Sequence, residues 1–326
     1  MPFALADRAQ LASPIPLYTR DEARMLGIRL EAARWLRVRK GVYVDKDHYV
    51  ALPGWQRYSV RVHAYLRTHP EAILCLESAG VLHGIPQFGE CRYLHIYDPD
   101  AASSQRYGDI RIHASCDPRQ LTQVGATCVT TLLDTIIDLV RVMNPADALA
   151  VADAAISPVQ GGTLLMEPLI ARGHEFESAR GRAKMRWVWD QADASSESPA
   201  ESISRAVIAW CGFEKPELQR EFRYEGHLDR TDFYFPSSGA IGEADGWGKY
   251  ALENPETAAA RLREEKRRED RLRRHRHPFA RWELADAWKV SPLCDALEGA
   301  RVPRVRPPQA AMLGTLRSRP RAKSWR

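Results

Sequence analysis

The stretch HLDRTDFYFPSSGAIGEAD, residues 227–245, constrains the fold more than any other part of the chain. Its aromatic and polar residues alternate, and a short SSG turn separates two strand-like runs, so the pattern predicts a hairpin. The phenylalanines of the first run face one side and Asp232 faces the other. After the turn, Glu243 and Asp245 share a face, and the hairpin is therefore expected to bring Asp232 beside Glu243.

Three carboxylates on adjacent strand ends repel one another unless a hard cation with oxygen ligands lies between them. Mg²⁺ (or Mn²⁺) meets that requirement, and beside a phosphodiester it would orient and deprotonate a water and neutralise phosphate charge. We therefore predict a metal site formed by Asp232, Glu243 and Asp245. The alternative is a solvated hairpin whose acids bind nothing.

Helices flank this hairpin in the sequence. Ser198, Pro199 and Glu201 mark a helix start of the capping-box type. A long charged helix, residues 258–275, precedes a last strand-like run, FARWELA. This order of elements predicts an α/β domain around a small mixed sheet. Glu201 either only completes the capping box or adds a fourth acid to the site.

The N-terminal segment, residues 14–50, reads as helix, turn, helix and a strand pair. Thr19 and Glu22 form a capping box at the first helix start, and Gly41 leads into the strand-forming run Val42–Val44. The pattern predicts a winged helix-turn-helix. The residues predicted to bind DNA line its second helix and wing: Arg29, Arg34, Arg37, Arg39 and Lys40. The alternative is a small helical cap with a solvated basic face.

The middle of the chain predicts a second α/β domain. The runs YLHIYD and DIRIHAS alternate like strands, and CVTTLLDTIIDLVRVM predicts a helix with Thr131 and Asp134 at its cap. Asp134 and Asp138 are four residues apart on that helix, which we interpret as a solvated face rather than a paired-carboxylate site. The expected organisation is a winged helix (1–54), a middle α/β domain (55–165), a linker (166–197), an α/β domain (198–295) and a disordered basic tail (296–326).

Charge and cysteine content narrow the function classes. Residues 301–326 carry eight basic side chains and no acid, and subtracting these eight from 47 leaves 39 basic against 42 acidic residues in the rest. The positive charge therefore belongs to a tail that could hold phosphates loosely. The six cysteines lie far apart without a C-x-x-C pair, which argues against a zinc site and a disulfide framework. No membrane-length apolar run or signal peptide is evident, so we expect a cytoplasmic protein.

From Ser198 onward the chain resembles the PD-(D/E)xK nuclease superfamily, and most closely its very-short-patch-repair-like (Vsr-like) branch, over about residues 198–290. Its three acids match here as Asp232, Glu243 and the helical acid Glu201. Asp245 stands where the motif usually has lysine, as is typical of that branch. The lysine's role would then fall to Lys249 or to Lys266.

Residues 14–156 resemble the AbiEi family, the DNA-binding antitoxins of type IV toxin–antitoxin systems, through the runs RKGVYV and SAGVLHGIP. Together the two resemblances imply a DNA-binding protein with a Mg²⁺-dependent endonuclease domain. They also imply a cognate nucleotidyltransferase-like toxin as partner. The alternative is an antitoxin or transcriptional regulator whose nuclease-like domain is inactive.

Overall fold

The structure is a computed structural model that describes residues 5–245 and 255–317, with side chains described from residue 263 onward in the helix that begins at Pro255. Helices alternate with three separate sheets in these residues, of three, six and four strands. The mixed α/β class expected from the sequence is confirmed.

A three-stranded antiparallel sheet organises the N-terminal part. Its elements are α1 (Leu5–Arg8), β1 (Tyr18–Thr19), α2 (Arg20–Met25), β2 (Trp35–Arg39), β3 (Val42–Asp45) and α3 (Lys46–Ala51). The strands lie in the order β1-β3-β2. Thr19 accepts from the Glu22 N–H while the Glu22 side chain accepts from the Thr19 N–H, so the predicted capping box is confirmed.

The second helix of the expected helix-turn-helix is not formed, so this part of the prediction is wrong. Gly27, with φ of +68°, ends α2, and the chain makes a single turn in which the Trp35 N–H donates to the Glu31 carbonyl. Residues 35–39 then pair with β3 as a strand. Strand pairing that buries Trp35 therefore outweighs the helical spacing of apolar residues that suggested a helix.

The middle part is built on a six-stranded mixed sheet in the order β6-β7-β5-β4-β9-β8. Its elements are α4 (Gly54–Leu66), β4 (Ile73–Leu74), α5 (Leu76–His83), β5 (Leu94–Tyr97), β6 (Gln105–Tyr107), β7 (Ile110–His113), β8 (Leu121–Val124), β9 (Thr127–Thr130), α6 (Leu132–Val142), α7 (Pro145–Ile156) and a 3-10 turn (Pro158–Gln160). The two strands predicted from alternation are β5 and β7, and the Thr131 cap of α6 is also confirmed.

The prediction that Asp134 and Asp138 lie on a solvated face of α6 is wrong. Asp134 is fully buried and forms an ion pair with Arg172 at 2.8 Å, and Asp138 forms one with Arg119 at 2.8 Å. Burial raises the pKa of Asp138, although Arg119 opposes that shift. The two acids are neutralised by arginines that arrive from outside the helix, which spacing along α6 does not reveal.

The segment expected to be a linker, residues 166–197, is instead part of the core. It forms α8 (Met166–Glu175) and α9 (Arg182–Gln191), whose side chains Leu169 and Val188 are fully buried. These helices belong to the same hydrophobic cluster as α6 and α7. Its polar composition comes from exposed faces, while a few apolar residues at helical spacing provide the packing.

The C-terminal part is a four-stranded mixed sheet in the order β10-β11-β12-β13, as expected. Its elements are α10 (Pro199–Trp210), β10 (Glu217–Tyr224), β11 (His227–Phe235), β12 (Ala240–Asp245), α11 (Pro255–Arg274), β13 (Phe279–Glu283), α12 (Leu284–Lys289), α13 (Ser291–Gly299) and α14 (Ala310–Arg317). Strands β10, β11 and β12 are antiparallel neighbours, and β13 lies parallel to β12. Helix α10 packs on α7, so one hydrophobic core joins the middle and C-terminal parts.

The described part of the expected disordered tail is ordered, so the prediction is wrong up to residue 317. The N–H groups of Val305 and Gln309 donate to the carbonyls of Gly212 and Trp210 at 2.7 Å each. Leu316 in α14 is buried in the core. Hydrogen bonds of the backbone and burial of Leu316 therefore hold this segment against the core, despite its many basic residues.

Candidate functional site

The β11–β12 hairpin brings two of the sequence-predicted acids together. The register pairs Phe233 with Gly242, so the next position places Asp232 opposite Glu243. The backbone N–H of Ala244 donates to Asp232 Oδ2 at 2.9 Å. The alternation of residues and the turn length were therefore sufficient to predict this juxtaposition.

Glu243 is buried at this position, with its side chain 5% exposed. Its Oε2 accepts from Arg268 Nη2 of α11 at 2.8 Å, whereas Oε1 is buried without a hydrogen-bond partner. Burial, and secondly the charge of Asp232, raise the pKa of Glu243 to about 7. A buried carboxylate oxygen without a donor is unfavourable unless a ligand, a water or a proton satisfies it.

Glu201 reaches the same cluster from the first turn of α10. Its Oε1 accepts from Ser198 Oγ at 2.7 Å, and its Oε2 accepts from the Glu197 N–H and from Gln219 Nε2, both at 2.9 Å. Burial raises the pKa of Glu201 to about 8, and the charge of Asp232 contributes to that shift. Glu201 therefore both caps its helix and lies beside the acids of the hairpin.

Gln219 is a residue of this site that the sequence did not reveal. The register of β10 with β11 runs through Leu218 and Arg220 on either side, which places Gln219 opposite Asp232. Gln219 has φ of +53°, a left-handed conformation that is unfavourable for a residue with a side chain. Such strain clusters at functional positions, because the surrounding structure must impose it.

Asp245 does not form a group of three close ligand atoms with Asp232 and Glu243. It forms an ion pair with Arg281 of β13 at 2.7 Å, and Arg281 also contacts Glu265 and Glu269 of α11. Glu243 and Asp245 therefore do not need a bound cation for neutralisation, because Arg268 and Arg281 pair with them. Parallel pairing of β12 with β13 brings Arg281 beside Glu243, and no local pattern predicts it.

A cation from α11 approaches the acids of the hairpin. Lys249 lies outside the described residues, and Lys266 is exposed on α11. Arg268 reaches Glu243 instead. The sequence did contain a signal for Arg268. A stripe of residues at helical spacing on α11 faces inward, formed by Glu265, Arg268 and Leu272.

The side chains whose spacing best suits a metal ion are not the acids of the hairpin. Among the residues that the structure describes, one set of three side chains has its ligand atoms within 4.8 Å of one another: Glu77, Cys91 and His95. Asp232, Glu243 and Asp245 do not reach that spacing. Their site would therefore offer one or two carboxylates to an ion rather than three.

The basic residues predicted to contact DNA are distributed between two environments. Arg29, Arg37 and Lys40 are exposed. Arg34 is exposed and pairs with Asp45 at 3.1 Å. Arg39 donates to both carboxylate oxygens of Asp109 at 2.6 and 2.8 Å, with only 16% of its side chain exposed, so it links β2 to the middle sheet instead of facing solvent.

No protein-family model matches this chain, and searches of curated proteins and of solved structures find no match either. The two family resemblances therefore stay hypotheses. Within the described parts of the chain, no helix has both the length and the apolar character needed to cross a membrane.

Proposed function

We propose that the protein binds DNA and that its C-terminal domain hydrolyses phosphodiester bonds with the help of Mg²⁺ or Mn²⁺. The observation that carries this proposal is Glu243 Oε1, which is buried without a hydrogen-bond partner beside Asp232. Four secondary-structure elements, α10, β11, β12 and α11, converge on this pair of acids. A pair of acids with a buried oxygen that lacks a donor suits a hard divalent cation, which supports metal-assisted hydrolysis.

Asp232 and Glu243 would hold the ion. Mg²⁺ keeps several waters and is usually bound through one or two carboxylates, which fits a site whose acids do not form a tight group of three. The bound ion would supply an activated water and charge neutralisation at the phosphate. The oxygen of Glu243 that has no donor fits the ligand role.

Two other side chains have roles that follow from their own surroundings. Because burial raises the pKa of Glu201 to about 8, this carboxyl can exchange a proton near neutral pH, which suits it to serve a leaving oxygen. Two N–H groups donate to Oε2, so the proton would lie on Oε1, beside Ser198 Oγ. Arg268 orients Glu243 through its hydrogen bond to Oε2 and adds positive charge beside the acids. This positive charge replaces the one that a motif lysine would supply.

A plasmid-nicking assay tests the proposal. We expect wild-type protein to relax supercoiled DNA with Mg²⁺ or Mn²⁺ and to lose that activity in Asp232→Ala and Glu243→Gln. Glu217→Gln, an exposed position on β10 of the same sheet, is the matched control and is expected to retain activity. Activity that survives both site substitutions would refute the assignment.

A second candidate is a DNA-binding antitoxin or regulator with an inactive nuclease-like domain and a nucleotidyltransferase-like toxin as partner. The ion pairs Arg268–Glu243 and Arg281–Asp245 favour it, because the protein's own cations already neutralise these acids. This candidate predicts duplex binding without cleavage and a melting temperature that does not respond to Mg²⁺ or Mn²⁺. The nuclease predicts a rise in melting temperature with the metal.

DNA binding is common to both candidates and has its own test. Arg37→Ala with Lys40→Ala removes two exposed cations of the β2–β3 hairpin. In a gel-shift salt titration, we expect the slope of log K against log [salt] to fall by about one for each phosphate that the variant no longer neutralises. An unchanged slope would exclude this hairpin from the DNA interface.

A further inference from the structure

A buried group of metal-ligating side chains lies far along the chain from the acidic site. Glu77 belongs to α5, Cys91 precedes β5 and His95 is part of β5. The three residues are 3%, 7% and 1% exposed. Their ligand atoms lie within 4.8 Å of one another, so a single ion could contact all three.

The distances match a tetrahedral ion. His95 Nε2 lies 3.4 Å from Glu77 Oε2 and 3.8 Å from Cys91 Sγ. Zinc bonds of about 2.3 Å to sulfur and about 2.0–2.1 Å to nitrogen and oxygen, at tetrahedral angles, separate nitrogen from oxygen by about 3.3 Å and nitrogen from sulfur by about 3.6 Å. Both separations from His95 therefore lie close to those of a tetrahedral zinc site, and Glu77 and Cys91 lie within 4.8 Å of each other.

Neighbouring groups orient the histidine. His95 Nδ1 lies 2.8 Å from His113 Nε2, and the His95 backbone N–H donates to Ser78 Oγ at 2.8 Å. If His95 Nδ1 donates its proton to His113, Nε2 keeps a lone pair directed toward Glu77 and Cys91. A second hydrogen bond of this kind is the usual support of a metal-bound histidine.

We propose that Glu77, Cys91 and His95 bind Zn²⁺ and thereby fasten α5 to β5. A carboxylate and a thiolate balance the two charges of the ion, so the buried site becomes neutral when it is loaded. The mixture of sulfur, nitrogen and oxygen ligands excludes Mg²⁺ and Ca²⁺ as the natural occupants, because both prefer oxygen. A water completes the tetrahedron.

A different position of the proton between His95 and His113 would leave the three side chains without a metal ion. If His113 donates to His95 Nδ1, then His95 Nε2 carries a proton and can donate to Glu77. The three side chains would then be a hydrogen-bonded network that needs no ion. The two arrangements differ in metal content and in the spectrum of a cobalt-substituted protein.

The experiment measures zinc in untagged full-length protein by inductively coupled plasma mass spectrometry, and then replaces the metal with Co²⁺. We expect one equivalent of zinc and, with cobalt, a near-ultraviolet thiolate-to-metal charge-transfer band. Cys91→Ser should lose the band. Cys75→Ser, another buried cysteine near the same sheet, is the matched control and should keep it. His113→Phe should bind the metal about 10–100-fold more weakly.

Several results would overturn the proposal. Folded wild-type protein with substoichiometric zinc and no charge-transfer band refutes it outright. A charge-transfer band that survives Cys91→Ser but not Cys75→Ser assigns the metal to other ligands. If Cys91→Ser does not fold by circular dichroism, Glu77→Gln replaces it, and unchanged zinc content in that variant refutes the assignment.

Discussion

The substitution Glu243→Gln tests the environment of the acidic site through the pH dependence of stability. Glu243 is buried beside Asp232, and its pKa rises from an ordinary value of 4.5 to about 7. The native protein therefore retains this proton at pH values where the unfolded chain has released it. Because the native state binds more protons between these two pKa values, stability falls as the pH rises through them.

The magnitude follows from the two pKa values. Each pKa unit is worth about 1.4 kcal/mol, so the change from 4.5 to about 7 corresponds to about 3 kcal/mol of unfolding free energy. This contribution is fully present below pH 4.5 and lost above pH 7. Glutamine cannot ionise, so Glu243→Gln should gain about 3 kcal/mol relative to wild type from about pH 4.5 to about pH 8.5.

Urea unfolding of both proteins across this pH range provides the measurement, and the quantity of interest is the difference between them. The titration of groups common to both proteins cancels in the difference, and a pH-independent effect of the substitution shifts it by a constant, so the change of the difference with pH isolates Glu243. Glu217→Gln on β10 is the matched control, because its side chain is 46% exposed. A difference between wild type and Glu243→Gln that stays flat from acid to alkaline pH would refute the burial argument.

Three further predictions concern stability, each measured by chemical denaturation. Leu169→Ala should cost about 2–5 kcal/mol because α8 is part of the core, whereas Leu165→Ala, at an exposed position, should cost little. Gly212→Ala should destabilise more than Gly226→Ala, since both have φ near +80° but only at Gly212 does a new Cβ meet a backbone oxygen, at 2.0 Å. Asp134→Asn should cost about 3–5 kcal/mol because it removes the fully buried charge that pairs with Arg172 and leaves this arginine only the exposed Glu175 as an acidic partner. Losses below 1 kcal/mol in Leu169→Ala or Asp134→Asn would contradict the burial described.

Local patterns in the sequence were enough for part of the fold. The Thr19–Glu22 capping box, the Thr131 cap and the β11–β12 hairpin depend on residues within a few positions of one another. The hairpin turn and its alternation also placed Asp232 opposite Glu243. Hydrogen bonding at caps and the two-residue period of strands are short-range, so they can be read from the chain itself.

Competition between local and distant interactions explains why the sequence predicted a helix at residues 30–36 and a linker at residues 166–197. Residues 30–36 carry a helical spacing of apolar residues, yet β2 forms because β3 is available for pairing and Trp35 is buried. Residues 166–197 look like a linker because their composition is polar, yet Leu169 and Val188 suffice to bury two helices. In both cases the deciding partner lies outside the segment.

The chemistry of both sites was decided by tertiary structure. Arg268 and Arg281 reach the acids from α11 and β13, and this replaces the expected repulsion by ion pairs. Cys91 and His95 are only four positions apart, but Glu77 joins them from a helix 14 residues upstream of Cys91. Helix caps and strand alternation specify which way a side chain points. The neighbours of that side chain depend on how distant elements pack, because burial and charge neutralisation act through space and not along the chain.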